Sequence, residues 1–409
     1  MSWPRNRAGV DEATWADWQR RFGESDRAAG FEISRDFEPF NQMNDMFTRA
    51  FWDDTVRSKD TDGFFASYRM KAAPRRGEGF AQRDFALRNA AWAISDIISN
   101  RAGEKGLREG FQGAIAADSP VAPSRVELMS PAQEAAEIKR LARFFGADLV
   151  GITAIDERWH YTHRPDTNTM TPVEEPLPEG MTHVIVMGHA MDFDLVATYP
   201  SALAGASTGR EYSHEAAIAI QLATYIRNLG FEAVASMNDT ALVIPYAIKA
   251  GLGEYGRNQM VLTPEFGPRV RFSKIFTNLP LAEDAPRRLG LAAYCARCTI
   301  CADSCPVKAL PRGAPDMGPG NRSAIRGVRK WTSDAEKCFG YWAKLKTDCA
   351  ICMRVCPFNR RYERWQDRLW RWLAIGPGGR GRAPALARWW QARRGRAKRL
   401  RPRDWWKRG

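Results

Sequence analysis

All eight cysteines of this 409-residue chain lie within residues 295–356. Cys295, Cys298, Cys301 and Cys305 form a C-x2-C-x2-C-x3-C-P run. Cys349, Cys352 and Cys356 form C-x2-C-x3-C-P, one cysteine short of a full set, and Cys338 upstream can supply it. Eight thiolates make two sets of four, the number that two [4Fe–4S] clusters require. In two-cluster ferredoxin runs the fourth cysteine ligates the other cluster. Cys295, Cys298, Cys301 and Cys356 are therefore expected on one cluster, and Cys305, Cys338, Cys349 and Cys352 on the other. The proline after Cys305 and after Cys356 fixes φ and turns the chain away. Disulfides would need an oxidising compartment, and no export signal is visible. Zinc favours paired C-x2-C units, so a C-x2-C-x2-C run suits it poorly.

Other elements must hold this cysteine-rich segment. Ser130 followed by Pro131 reads as a helix start, with Ala136, Ile138, Leu141, Phe144 and Phe145 along one face and Gly146 as the stop. Residues 148–152, 182–187 and 231–235 read as strands, and residues 212–229 as a long amphipathic helix opening at Tyr212. Helices alternating with strands predict an α/β or α+β core. In the N-terminal part, residues 89–98 read as a buried helix and residues 37–54 as partly helical with buried aromatics. No chemistry is legible there.

The length suits about two or three domains. No apolar run is long enough for a transmembrane helix, and the arginine pairs near the N-terminus lack an apolar stretch behind them. The net charge of +14 is concentrated after residue 360, where sixteen Arg and Lys face three Asp and Glu. Any polyanion partner would belong to that tail. Its seven tryptophans, interleaved with arginine, suit a membrane headgroup layer. The first part of the tail is expected to pack on the cysteine segment. From Arg388 onward a membrane surface, RNA and a solvated end stand as three readings.

Gly251, Gly253, Gly256 and Gly267 would allow close backbone approach to something flat or bulky. Gly251, Gly253 and Gly256 spell G-x-G-x-x-G, but the motif does not join a strand to a helix, so a dinucleotide site is not expected.

The phrases NDT, PYAIKAGLGEYGRN and LTPEFGPRVR, followed by the two cysteine runs and KCFGYWAKLKTDCAICMRVCPFN, resemble the cobalamin-dependent reductive dehalogenases. That resemblance covers about residues 130–358 and extends more weakly to residues 37–54. It implies an α+β fold: a nitroreductase-like cobalamin-binding domain with an appended two-[4Fe–4S] ferredoxin-like domain. The implied division is 1–130, a family-specific region; 131–285, the catalytic domain; 286–360, the two-cluster domain; and 361–409, the basic tail. It implies Tyr212 as proton donor, Asn238 as its polar neighbour and Arg271 as the assisting cation, with Arg269 a rival. Tyr199, Tyr246 and Tyr255 are expected to be packing residues. Gly251, Gly253 and Gly256 are the implied cobalamin contacts. The cofactor would be bound base-off, because none of His160, His163, His183, His189 and His214 sits in a cobalt-ligand motif.

The implied reaction replaces the halogen of an organohalide with hydrogen, using two electrons and a proton. An external donor of ferredoxin or flavodoxin type would supply the electrons. The expected setting is cytoplasmic, peripheral to the inner membrane if the tail makes weak membrane contact, and a nucleic-acid partner is not expected. The rival readings are an epoxyqueuosine-reductase-like tRNA-modifying enzyme and a ferredoxin-like carrier without cobalamin.

Overall fold

A computed structural model describes residues 10–68, 77–104, 120–166, 168–174, 176–318 and 321–408. The start of the chain, expected to carry no signal segment, lies partly outside these residues. Arg20 and Arg21 belong to the helix Glu12–Ala29.

Four strands, β1 (Leu149–Ala154), β2 (His183–Ala190), β3 (Ala233–Ser236) and β4 (Val270–Thr277), form one sheet in the order β1-β2-β4-β3, every neighbouring pair antiparallel. Strand β2 shows why its sequence is apolar throughout. Ile185 and Met187 enter the core on one face, and Val184 and Val186 enter the core on the other. Alternate residues point to opposite faces, so a strand covered on both sides needs a continuous apolar run. Each such buried side chain contributes about 1.5–3 kcal/mol. The antiparallel sheet with helices on both faces is the expected α+β arrangement.

Three helices share one core on one face of the sheet: α1 (Gln82–Glu104), α2 (Pro131–Phe145) and α3 (Ala202–Asn228). Helix α2 begins as its sequence predicts. The Ser130 side chain accepts from the Gln133 backbone, Gln133 returns the bond, and Gly146 ends the helix at φ 117°. Helix α3 differs from expectation. It starts at Ala202, capped by Ser201, and Tyr212 lies well inside it. Gly205 and Gly209 lie inside this helix. They are glycine because α1 crosses here: a Cβ on Gly209 would lie 2.3 Å from Trp92, and one on Gly205 would lie 2.9 Å from Arg88. Close packing of two helices, not loop geometry, selects glycine at these positions.

The N-terminal part is bound into the core. Arg158, fully buried, donates to Asp26 at 2.8 and 2.9 Å and to Asp156 at 2.7 Å, while Lys249 reaches Asp156 at 2.8 Å. Removing one partner of such a buried ionic group costs on the order of 3–5 kcal/mol. Residues Ile33–Glu38 also pair with Arg326–Val328, beyond the first cysteine run.

The tail folds back on the body, and this corrects the reading of a solvated end. Helix α4 (Trp365–Ala374) places Trp370 against Tyr294 and Phe358, and α5 (Pro384–Arg394) packs on α4 through Ala387. Further on, the Arg399 side chain donates to the carbonyls of Thr198 and Pro200, and the Trp406 indole donates to Asp84 at 2.9 Å. Among the described residues no helix is long and apolar enough to cross a membrane.

Candidate active site and cluster ligands

Three elements deliver Tyr212, Asn238 and Arg271 to one point. Tyr212 comes from the middle of α3, Arg271 from β4, and Asn238 from the loop that follows β3. The Asn238 amide donates to the Tyr212 hydroxyl at 2.5 Å, and the Arg271 guanidinium donates to the same oxygen. The Asn238 loop is clamped from below. Buried Lys274 donates to the carbonyls of Met237 at 2.6 Å and Asp239 at 2.9 Å, and the Asp239 carboxylate accepts from the Met237 backbone at 2.8 Å.

Burial pushes the Tyr212 phenol up to about 12, and Arg271 and the Asn238 bond act against that rise. The hydroxyl is therefore protonated at neutral pH, the state a proton donor needs. On the other side the Trp92 ring stacks on Tyr212 with centroids 4.6 Å apart, and Tyr68 meets Trp92 edge-on at 5.5 Å. Nothing in the sequence pointed to Trp92 beyond its place in an apolar helix, so the aromatic wall of the site was missed.

The rival residues are occupied elsewhere. Arg269 donates to Asn359 at 3.1 Å and to the Met191 carbonyl, at the junction with the cysteine segment. Tyr199 donates to Asp348, Tyr246 pairs with His160, and Tyr255 donates to the Trp331 carbonyl. His189 is engaged with Ser273 at 2.9 Å and His183 with Thr182 at 2.8 Å.

The eight cysteines are free thiols brought into two groups. Cys295, Cys298, Cys301 and Cys356 line one small cavity closed by Tyr294 and Phe358. Cys305 acts electrostatically on Cys338, Cys349 and Cys352, and Cys338 acts on Cys349 and Cys352. Burial first, and then the neighbouring thiols, push Cys295 and Cys349 up to about 12 and Cys301 and Cys338 to about 11. Crowded, buried thiols of this kind ionise only when a bound cation supplies the compensating charge. The two groups are neighbours, since the helices Ile300–Ser304 and Ile351–Arg354, which carry Cys301 and Cys352, pack on each other.

The glycine-rich stretch serves this segment. A Cβ on Gly251 would lie 2.6 Å from the Ala285 carbonyl, one on Gly253 2.3 Å from that of Leu262, and one on Gly256 2.8 Å from Asn258. The close approach seen here is of the chain to itself. It shapes the loop carrying Arg257, which is fully buried and donates to the carbonyls of Cys295 at 3.0 Å, Cys298 at 2.8 Å, Pro311 at 2.9 Å and Gly313 at 2.7 Å. Arg257 was another residue that sequence reasoning passed over.

Residues 170–281 match the family described as Reductive dehalogenase subunit, and residues 294–359 match the 4Fe-4S double cluster binding domain. The tetrachloroethene reductive dehalogenase of Desulfitobacterium hafniense is 33% identical over 277 residues, covering 57% of this chain and 49% of that protein. The enzyme of the same description from Dehalobacter restrictus is 34% identical over 266 residues, covering 56% and 48%. The chain is a reductive-dehalogenase homologue. The homologue spans about half the length of these curated relatives. A solved catabolic reductive dehalogenase superposes with a TM-score of 0.69 at 24% identity, over 88% of this homologue and 48% of that chain, a likeness of fold. The epoxyqueuosine reductase of Lactococcus garvieae is 34% identical over 131 residues, 31% of this homologue and 34% of that protein.

Proposed function

We propose that this homologue is a cobalamin- and iron–sulfur-dependent reductase that replaces an organic halogen with hydrogen. The carrying observation is the Tyr212 hydroxyl held between the Asn238 amide and the Arg271 guanidinium. The balance is one organohalide, two electrons and one proton giving the hydrogenated product and a halide ion. Bound cobalamin would supply a low-valent cobalt that passes electrons to the carbon–halogen bond.

The residues fit such a group. Around Tyr212 the buried Nε of Arg271 has no hydrogen-bond partner among the described residues, and an aromatic wall faces the site. The engagement of His160, His183 and His189 with neighbouring hydroxyls suits a corrinoid bound base-off, without an axial histidine. Gly251, Gly253 and Gly256 enter this reading as shapers of the Arg257 loop. Cys295, Cys298, Cys301 and Cys356 would hold one cluster, and Cys305, Cys338, Cys349 and Cys352 the other.

Tyr212 is the proton donor in this reading. Its hydroxyl gives its proton to the carbon from which halide departs. The phenolate left behind is met by Arg271 and by the Asn238 amide, two donors fixed before the charge develops. Trp92 holds the ring in place and excludes water from one side. An external carrier of ferredoxin or flavodoxin type would supply the electrons. The proposed setting is the cytoplasm.

The test is anaerobic reconstitution with iron, sulfide and cobalamin, then reduced-dye oxidation against brominated and chlorinated phenols with halide release recorded. Cobalamin-dependent halide release is expected. Turnover of an epoxyqueuosine tRNA stem loop without halide release would replace this reading with the tRNA-modifying one. Failure to take up cobalamin would leave a ferredoxin-like carrier.

A further inference from the structure

A cleft of about 590 Å³ opens between the chain just after the second cysteine run and the end of α5, and Cys356 and Pro357 reach it. Its exposed rim carries Arg361, Arg364, Arg394, Arg396, Lys398 and Arg408. Its acidic residues are Asp194, Glu363 and Asp367. Asp367 is taken up by Arg360 and Arg394, and Asp194 by Arg361 and Arg408. Arg396 has only a distant carboxylate, Asp303 at 4.0 Å. Arg364 and Lys398 pair with no carboxylate among the described residues. The rim thus keeps an excess of positive charge directly above a cysteine of the first group.

The second group is tied to the catalytic helix: Asp348, next to Cys349, accepts from Tyr199 at 2.5 Å and from Thr208 of α3 at 2.8 Å, and it also acts on Arg271. The two groups come together where the helix Ile300–Ser304, which carries Cys301, packs on the helix Ile351–Arg354, which carries Cys352. A path therefore runs from the basic cleft through the first group to the second and on to Tyr212.

We propose that this cleft is the docking site of an acidic one-electron carrier protein of flavodoxin or ferredoxin type. The proposal rests on the two-cluster reading given above and names where its electrons enter. In the transfer a reduced flavodoxin gives up one electron and becomes its semiquinone, and one oxidised cluster takes that electron. Two such encounters supply one turnover. Charge complementarity selects the occupant: a negative face on the carrier meets the basic rim, which raises association rates by about 10–10³-fold at low salt.

The experiment uses the full chain with both clusters reconstituted and with cobalamin bound. Stopped-flow bleaching of the cluster absorbance is recorded with reduced flavodoxin and separately with titanium(III) citrate. Association with oxidised flavodoxin is measured by interferometry. R364E/R396E/K398E should slow reduction by flavodoxin about tenfold or more at low salt, flatten its salt dependence and weaken association. Reduction by titanium citrate should be unchanged. If that variant loses iron, R364Q/R396Q/K398Q decides, with a smaller slowing expected. Flavodoxin kinetics unchanged in an iron-replete variant would overturn the proposal. So would loss of retention on phosphatidylglycerol vesicles or tRNA with flavodoxin kinetics intact, which would assign the rim to those polyanions. No organohalide enters the measurement, so failure of the dehalogenation reading gives a different result from failure of this one.

Discussion

The Arg271 guanidinium lies 4.1 Å from the centroid of the Tyr212 ring and donates to the hydroxyl of that same residue. One cation thus touches both the face and the oxygen of one phenol. Burial alone would make the phenolate costly, and it holds the proton affinity at about 12. Arg271 is the counterweight: it leaves the phenol protonated at neutral pH yet stabilises the anion once the proton has gone.

Tyr212→Phe keeps the stack on Trp92 and removes the donor oxygen, so cobalamin and iron content should match the parent. General acid catalysis contributes roughly 10²–10⁴-fold, and halide release should fall by that factor. Arg271→Lys keeps the charge but loses the planar fork, and a smaller loss is expected. Unchanged halide release in Tyr212→Phe would place the proton source elsewhere.

The reconstituted chain should hold about eight iron and eight sulfide. Cys338→Ala removes a thiol that acts on Cys349 and Cys352 and leaves the cavity of Cys295, Cys298, Cys301 and Cys356 intact. Iron should fall towards about half, with one cluster's paramagnetic resonance signal retained. About four iron in the parent, unaffected by the substitution, would contradict the assignment.

Gly209→Ala sets two effects against each other. Alanine is favoured over glycine inside a helix by about 1 kcal/mol. The new methyl would, however, lie 2.3 Å from Trp92 in a fully packed interface, and overpacking costs typically about 1–3 kcal/mol. Net destabilisation is expected, together with displacement of Trp92 from Tyr212. A variant as stable as the parent by thermal unfolding would mean that α1 and α3 are looser than the structure places them.

Glu215 lies one turn after Tyr212, fully buried, and neither carboxyl oxygen has a hydrogen-bond partner among the described residues. Burial raises it from 4.5 to about 8, against the pull of Arg271 and with a push from Glu211. Between those values the folded protein keeps a proton that the unfolded chain has lost. Its contribution is therefore complete below pH 4.5 and is lost as pH rises to about 8. Each unit is worth about 1.4 kcal/mol. Glu215→Gln should lose less stability than the parent between pH 5 and pH 8 in denaturant titrations. Equal losses in the two proteins would exclude Glu215 as the cause.

The sequence by itself determined what is local or chemically specific. Ligand spacing is a property of neighbouring residues, so the cysteine runs announced two clusters before any fold was known. The Ser130 capping box, the Gly146 stop and the apolar strands were legible for the same reason, because each is decided within a few residues. The family phrases carried Tyr212, Asn238 and Arg271 as a set.

Only the tertiary structure decided what depends on approach between distant segments. It set Arg271 against Tyr212 and Arg269 against Asn359, because neighbouring arginines read alike until the packing gives each a partner. It extended the helix expected from Tyr212 back to Ala202 through Gly205 and Gly209, because a glycine chosen for closeness looks the same in sequence as one chosen for its φ. It placed Trp92 against Tyr212, turned Arg257 onto the cysteine loops and laid the basic tail beside Cys356. Such contacts join residues far apart in the chain, and no local pattern of spacing or composition encodes them.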